Sequence, residues 1–260
     1  MVTVHPGAGF PRSRWKLVVA LLVGVLSGGC GEQGVLVPDT QEPFFYLVLN
    51  QRSASTYQGI HWTGQQALLT TTGSPVEPPR YRTAREFTMW RASDGARFGW
   101  RRYPQLVSEP GTSSQLTLLY ANYFLPDSAG PEGLLGARDL RPGQTYEIVV
   151  TLENEVIRGR TTIPAEFTAS LRESGDHRSV VWPRVQGAGG YQISLSSGAT
   201  LLQTDTTLAV PRDIAGGGSV LIQALDPNLY RYVSEKNTAR SGIDAGFGVF
   251  GAVTFARVVL

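Results

Sequence analysis

Residues 180–195 read Val180-Val181-Trp182-Pro183-Arg184-Val185-Gln186-Gly187-Ala188-Gly189-Gly190-Tyr191-Gln192-Ile193-Ser194-Leu195. A β-branched pair runs into a tryptophan, a glycine turn follows, and a second short apolar stretch resumes after it, so the local unit is strand, turn, strand. The same unit recurs along the chain. Phe44-Phe45-Tyr46-Leu47-Val48-Leu49 is an initial buried strand. Glu86–Arg91 and Arg97–Arg101 flank Ser93-Asp94-Gly95, whose Asp-Gly step suits the positive φ of a tight hairpin. Gln115–Phe124 is a further strand, and Thr145–Leu152 pairs with Val156–Thr162 across Glu153-Asn154-Glu155 until Ile163-Pro164 stops the pairing. Thr206–Val210, Ser219–Leu225 and a terminal Val253–Leu260 complete the set. The β pattern breaks once: Asp226 can cap a helix with Pro227 at its first position, and Leu229, Tyr230 and Val233 give it an apolar face through Glu235.

Composition agrees with an all-β chain. The 260 residues are 42% hydrophobic and 17% charged, with 30 glycines and 16 prolines, which describes folded, turn-rich structure with few solvated helices. The formal net charge of +2 includes Arg12, Arg14 and Lys16 near the N-terminus; without them 20 basic residues face 21 acidic ones. No basic footprint for nucleic acid remains. Arg12, Arg14 and Lys16 precede an apolar run from Leu17 to Leu26, followed by Ser27-Gly28-Gly29, the layout of an export signal. The apolar run is too short for a spanning helix, which needs about 20 residues. Cys30 is the chain's single cysteine, so no internal disulfide can form.

Two segments resemble fibronectin type III and related immunoglobulin-like domains. Leu140-Arg141-Pro142-Gly143-Gln144-Thr145-Tyr146 is similar to their L-x-P-G-x-x-Y signature, which implies that the Tyr146 hydroxyl bonds back to the upstream backbone, a tyrosine corner. The 180–195 stretch is similar to their V-x-W-x-x-V-x-G-A-x-x-Y-x-I pattern, which implies that Trp182 closes one sheet and that Tyr191 and Ile193 face it from the next strand. The expected architecture is two β-sandwich domains in tandem, 44–164 and 165–260, with a short helix near the C-terminus.

Leu26-Ser27-Gly28-Gly29-Cys30 resembles the lipobox of bacterial lipoproteins. The resemblance implies that residues 1–29 are a cleaved signal, that Cys30 is lipidated, and that residues 30–43 are a spacer holding the folded part off the membrane, anchored by its acyl chains. Gly31 after the cysteine favours delivery to the outer membrane. The lipidated start, the Pro-Gly-x-x-Tyr strand ending in Thr-Ile-Pro, the tyrosine-rich 229–233 segment and the closing Gly246-Phe247-Gly248-Val249-Phe250-Gly251 together resemble an uncharacterised family of bacterial outer-membrane lipoproteins, domain of unknown function 4249. That resemblance implies a partner among TonB-dependent outer-membrane receptors or other envelope proteins.

No residue pattern announces a reaction. The histidines are His5, His61 and His177, and with a lipidated cysteine they leave no thiolate or multi-histidine zinc set. Ser174, Asp176 and His177 lie together without Gly-x-Ser-x-Gly, and Gly216-Gly217-Gly218 lacks the Lys-Ser/Thr and helix of a phosphate loop. Asp139, Glu147, Glu153, Glu155 and Glu166 fall at turn or solvent-facing strand positions, and Asp205 and Asp226 lack calcium-loop spacing. The expected protein has no catalytic residues, metal or cofactor and acts as a non-catalytic binding or assembly module. The alternatives are a carbohydrate-binding lipoprotein, stacking sugar on Trp62, Trp90 or Trp100, with the last two brought near one another by their hairpin, and a carboxylate-based hydrolase.

Overall fold

The computed structural model describes residues 43–50, 54–57, 60–63, 65–71, 80–102, 122–128, 133–175, 177–210, 218–235 and 240–260; at 54–57, 60–63, 65, 66, 68, 70, 71, 80 and 81 only the backbone is described. The strands among them are β1 (Pro43–Asn50), β2 (Ala54–Tyr57), β3 (Ile60–Thr63), β4 (Gln65–Thr71), β5 (Arg80–Tyr81), β6 (Glu86–Arg91), β7 (Arg97–Phe98), β8 (Arg101–Arg102), β9 (Tyr123–Leu125), β10 (Thr145–Thr151) and β11 (Val156–Thr162). The chain continues through β12 (Ser170–Ser174), β13 (His177–Val181), β14 (Gly190–Leu195), β15 (Thr200–Gln203), β16 (Thr207–Ala209) and β17 (Ser219–Leu225) to helix α1 (Pro227–Glu235). Two short strands, β18 (Arg240–Ser241) and β19 (Ile243–Ala245), precede the long β20 (Phe247–Val259). The fold is an all-β sandwich architecture, as composition and turn spacing predict.

The first half of the chain builds one sandwich. Strand alternation turns Phe45, Leu47 and Leu49 of β1 inward, where they meet Met89 of β6, Ile148 and Val150 of β10 and Ile157 of β11. One wall is β1-β4-β9-β8 and the other is β19-β11-β10-β6-β7. The predicted Asp-Gly hairpin is present: Gly95 has φ +69°, the Asp94 carboxylate accepts the Ala96 N–H at 3.1 Å, and β6 pairs with β7 through Trp90↔Arg97. Asp94 also holds the buried Arg91 guanidinium at 2.7 Å, and this charge-assisted bond lowers the Asp94 carboxyl pKa. The tyrosine corner forms as the resemblance implies. Fully buried Tyr146 accepts the Arg141 N–H at 2.7 Å through its hydroxyl, which fixes the Pro142-Gly143 turn onto the sheet.

The second half repeats the plan, with β12-β13-β16 facing β15-β14-β17-β20 as three strands against four. Trp182 follows β13 and is 5% exposed; its ring meets Tyr191 edge-on at 5.4 Å, and the Tyr191 hydroxyl accepts the Val185 N–H at 2.9 Å. Ile193 lies in the same core. Truncating Trp182 to alanine is expected to cost about 3 kcal/mol, the low end of the range for emptying a buried aromatic site, because the buried indole N–H has no acceptor among the described residues and its loss returns a desolvation penalty. Urea unfolding followed by far-UV circular dichroism measures this, and a loss below about 1 kcal/mol would place the side chain outside the core.

Strand β20 joins the halves. The sequence places the terminal strand at Val253–Leu260, whereas it begins at Phe247, because the closing glycines are themselves extended chain lying against β1. Residues 247–253 pair in parallel with 44–50 of β1, and residues 253–259 pair antiparallel with β17. Phe250 and Ala252 therefore enter the first core and Val258 the second, all from one face of one strand. Ile243 of β19 also fills the first core, so the segment after Ala165 contributes to both sandwiches. A ten-stranded sheet results, with β5 and β18 attached to its main order, and it forms the shared wall. Buried Thr254, midway along β20, donates its hydroxyl to the Ala165 carbonyl at 3.2 Å, tying the crossover between the halves to this wall.

Helix α1 seals the opposite face of that wall. Gly251 is the reason it can approach: a Cβ there would lie 2.8 Å from the Leu229 Cβ. Tyr232 of the helix packs against Tyr46 of β1 with ring centroids 6.1 Å apart, and burial, followed by the charge of Tyr232, pushes the Tyr46 phenol pKa up to about 12.

Candidate functional site

Of the sugar-stacking candidates, Trp90 and Trp100 separate in space. Trp100 follows Phe98 with the same inward parity and stacks flat on Phe87, centroids 4.7 Å apart and planes 10° off parallel. Phe87 in turn meets the core rings Phe45 and Tyr123 edge-on. Trp90 lies between Met89 and Arg91, both buried, so alternation turns it to the opposite face of the sheet, where it is half-buried. The hairpin thus puts the two tryptophans on opposite faces of the sheet and not on a common platform. Trp62 stands on β3, and its side chain lies outside the described residues, as does all of Cys30.

The outward face around Trp90 has a defined register. Trp90 pairs with Arg97 of β7 on one side and Glu147 of β10 on the other, and Glu147 pairs with Arg160 of β11. The Arg160 Nε lies 3.8 Å from the Glu147 carboxylate. One row across four strands therefore carries a guanidinium, an indole, a carboxylate and a second guanidinium. A second surface feature is a groove of about 470 Å³ beside β12, β13 and β16, lined by Thr168, Ser170, Arg172, Trp182, Pro183 and Thr206 among others. Hydroxyls and one guanidinium dominate its polar lining, a set that can hold a ligand but includes no general acid or base.

Most other candidates have structural surroundings. Ser174 and His177 are an exposed cross-strand pair at the β12–β13 turn, and Asp176 lies outside the described residues. Glu153 pairs with Arg85 at 3.2 Å, the Asp139 carboxylate accepts the Gly136 N–H at 2.8 Å, and Glu155, Glu166 and Asp205 are exposed. No cluster of three or more histidine, cysteine, aspartate or glutamate side chains suited to a metal occurs among the described residues, and no helix among them is long and apolar enough to cross a membrane.

Asp226 is the exception that the sequence undersold. It caps α1 as expected, its Oδ1 accepting the Leu229 N–H at 2.9 Å, but the same oxygen accepts the Ala252 N–H of β20 at 2.9 Å and Oδ2 accepts the Thr161 hydroxyl of β11 at 2.8 Å. Asn228, two residues on, donates to the carbonyls of Arg160 at 2.9 Å and Phe250 at 3.2 Å. The pair clasps helix, shared wall and facing sheet at one point. Burial raises the Asp226 carboxyl pKa, and four donors, the N–H groups of Ala252, Leu229 and Asn228 and the Thr161 hydroxyl, oppose that rise. This is the chemistry of a structural clasp, with every acceptor directed at the protein's own donors.

The chain matches no protein-family model, no curated protein and no solved structure in the comparisons made with each.

Proposed function

We propose that the protein is a lipid-tethered, non-catalytic binding or assembly module of the bacterial outer membrane, whose partner is an envelope receptor of the TonB-dependent kind or another surface component. The observation that carries this reading is the parallel β1–β20 ladder, seven residue pairs long, which locks two sandwiches to one wall. Such a frame holds the outward faces of the two smaller sheets at a fixed spacing, and a fixed spacing between surfaces suits docking to a partner of defined shape. The lipobox-like Leu26–Cys30 segment and the spacer that leads from it to β1 at Pro43 supply the tether in this reading.

Crosslinking in native cells, followed by purification through a C-terminal tag, tests the partner. Stoichiometric recovery of an outer-membrane receptor is expected; recovery of the protein alone, with turnover of a polysaccharide, would overturn the module reading in favour of a hydrolase. The tether is tested separately. Cys30→Ser is expected to abolish palmitate labelling and to release the protein from membranes, since stable anchoring requires the acyl chains. Membrane association that survives this change refutes lipid anchoring.

A further inference from the structure

The face of β6, β7, β10 and β11 turned away from the core carries a half-buried tryptophan in the middle of charged residues, an arrangement that core packing does not explain. Arg97, Trp90, Glu147 and Arg160 form its central row, and Val149, diagonal to Trp90, forms the next row with Thr88 and Arg158. At about 4.8 Å between strands, four strands make a platform roughly 14 Å across. Its charge is asymmetric. Arg97, Arg158 and Arg160 are exposed and stand against Glu86 and Glu147, the latter already beside Arg160.

An indole beside forked donors meets two requirements of one ligand class. The apolar C–H face of a pyranose ring packs on an aromatic face, and guanidinium groups bind carboxylates in two-point geometry. The geometry points to an acidic polysaccharide, a chain bearing uronate carboxylates, lying along this row with Trp90 as its stacking platform and Arg97, Arg158 and Arg160 as its carboxylate partners. Glu147 orients Arg160 and accepts from ring hydroxyls. This goes beyond the proposed docking to an envelope receptor and does not depend on it.

Native gel electrophoresis of the full mature protein in non-ionic detergent, with polygalacturonate or neutral dextran cast into the gel, tests the assignment. Retardation by polygalacturonate alone is expected. Trp90→Ala should weaken it about tenfold or more, the scale of losing one aromatic contact, while Trp90→Phe retains most of it and Arg97→Gln weakens it in part. Because Trp90 faces outward, Trp90→Ala should keep its unfolding midpoint within a few degrees of the parent; if it does not, the Phe and Gln variants carry the comparison. Absence of retardation overturns the assignment. So does retardation that Arg97→Gln reduces and Trp90→Ala leaves intact, which is ion exchange without stacking. Either result leaves the crosslinking test of a receptor partner unaffected.

Discussion

Gly248→Ala is expected to cost at least about 5 kcal/mol and to unfold both sandwiches in one transition, or to yield no soluble protein. Gly248 sits in β20 opposite Phe45 with φ +138°, a region L side chains rarely enter, and a Cβ there would fall on the Phe45 carbonyl oxygen and lie 2.8 Å from that residue's carbonyl carbon and nitrogen. Backbone cannot yield as a flexible side chain can, so the β1–β20 ladder must separate. Loss of the ladder strips Phe250 and Ala252 from the first core and displaces the strand that carries Val258 into the second. Gly198→Ala is the control: its φ of +89° carries a conformational cost of about 1–2 kcal/mol, but its Cβ would meet nothing within 4 Å. Guanidinium unfolding, read by circular dichroism and by tryptophan fluorescence, distinguishes the two variants. A Gly248→Ala protein no less stable than Gly198→Ala would refute the shared-strand account of stability.

That ladder marks where the sequence stops being legible. Local chemistry announces itself: Asp94-Gly95 makes its hairpin, Tyr146 returns to Arg141, and Asp226-Pro227 starts α1, because each is decided by residues within a few positions of one another. The β1–β20 pairing joins residues about two hundred positions apart through backbone groups, which every sequence has. Its only written trace is the spacing of Gly248 and Gly251, and glycines there serve equally well in a loop. The candidate face was half legible for a related reason. Alternation fixes Trp90 outward because it lies inside a regular strand, but Trp100 follows Gly99 beyond the end of β7, where parity cannot be read until the ring is seen stacked on Phe87. Arg160 and Glu147 become neighbours of Trp90 only once the β6–β10–β11 register is known.

Asp226→Ala is expected to cost about 5 kcal/mol, beyond the roughly 0.5–2 kcal/mol of an ordinary helix cap, because it strands the Leu229 and Ala252 N–H groups and the Thr161 hydroxyl at about 1–3 kcal/mol each. Asp226→Ser separates the two roles. Its short hydroxyl can still cap Leu229 but cannot also reach Ala252 and Thr161, so it should recover only the cap's share. Asp226→Asn keeps one acceptor oxygen in the same place and should fall between Ser and wild type. The pH dependence gives an independent readout. Burial raises the folded-state carboxyl pKa above its unfolded value, so the folded protein holds the proton more tightly and the stability contributed by protonation is fully present below the unfolded pKa. That contribution is lost as pH rises through the raised folded pKa. The gap in stability between wild type and Asp226→Asn should therefore narrow from acid toward neutral pH, measured by urea midpoints across that window. A gap that widens toward neutral pH would mean that its hydrogen-bond donors outweigh burial and hold the carboxyl below its ordinary pKa. Equal stabilities for Asp226→Ser and wild type would mean that the contacts to β20 and β11 contribute nothing, and that Asp226 is a helix cap alone.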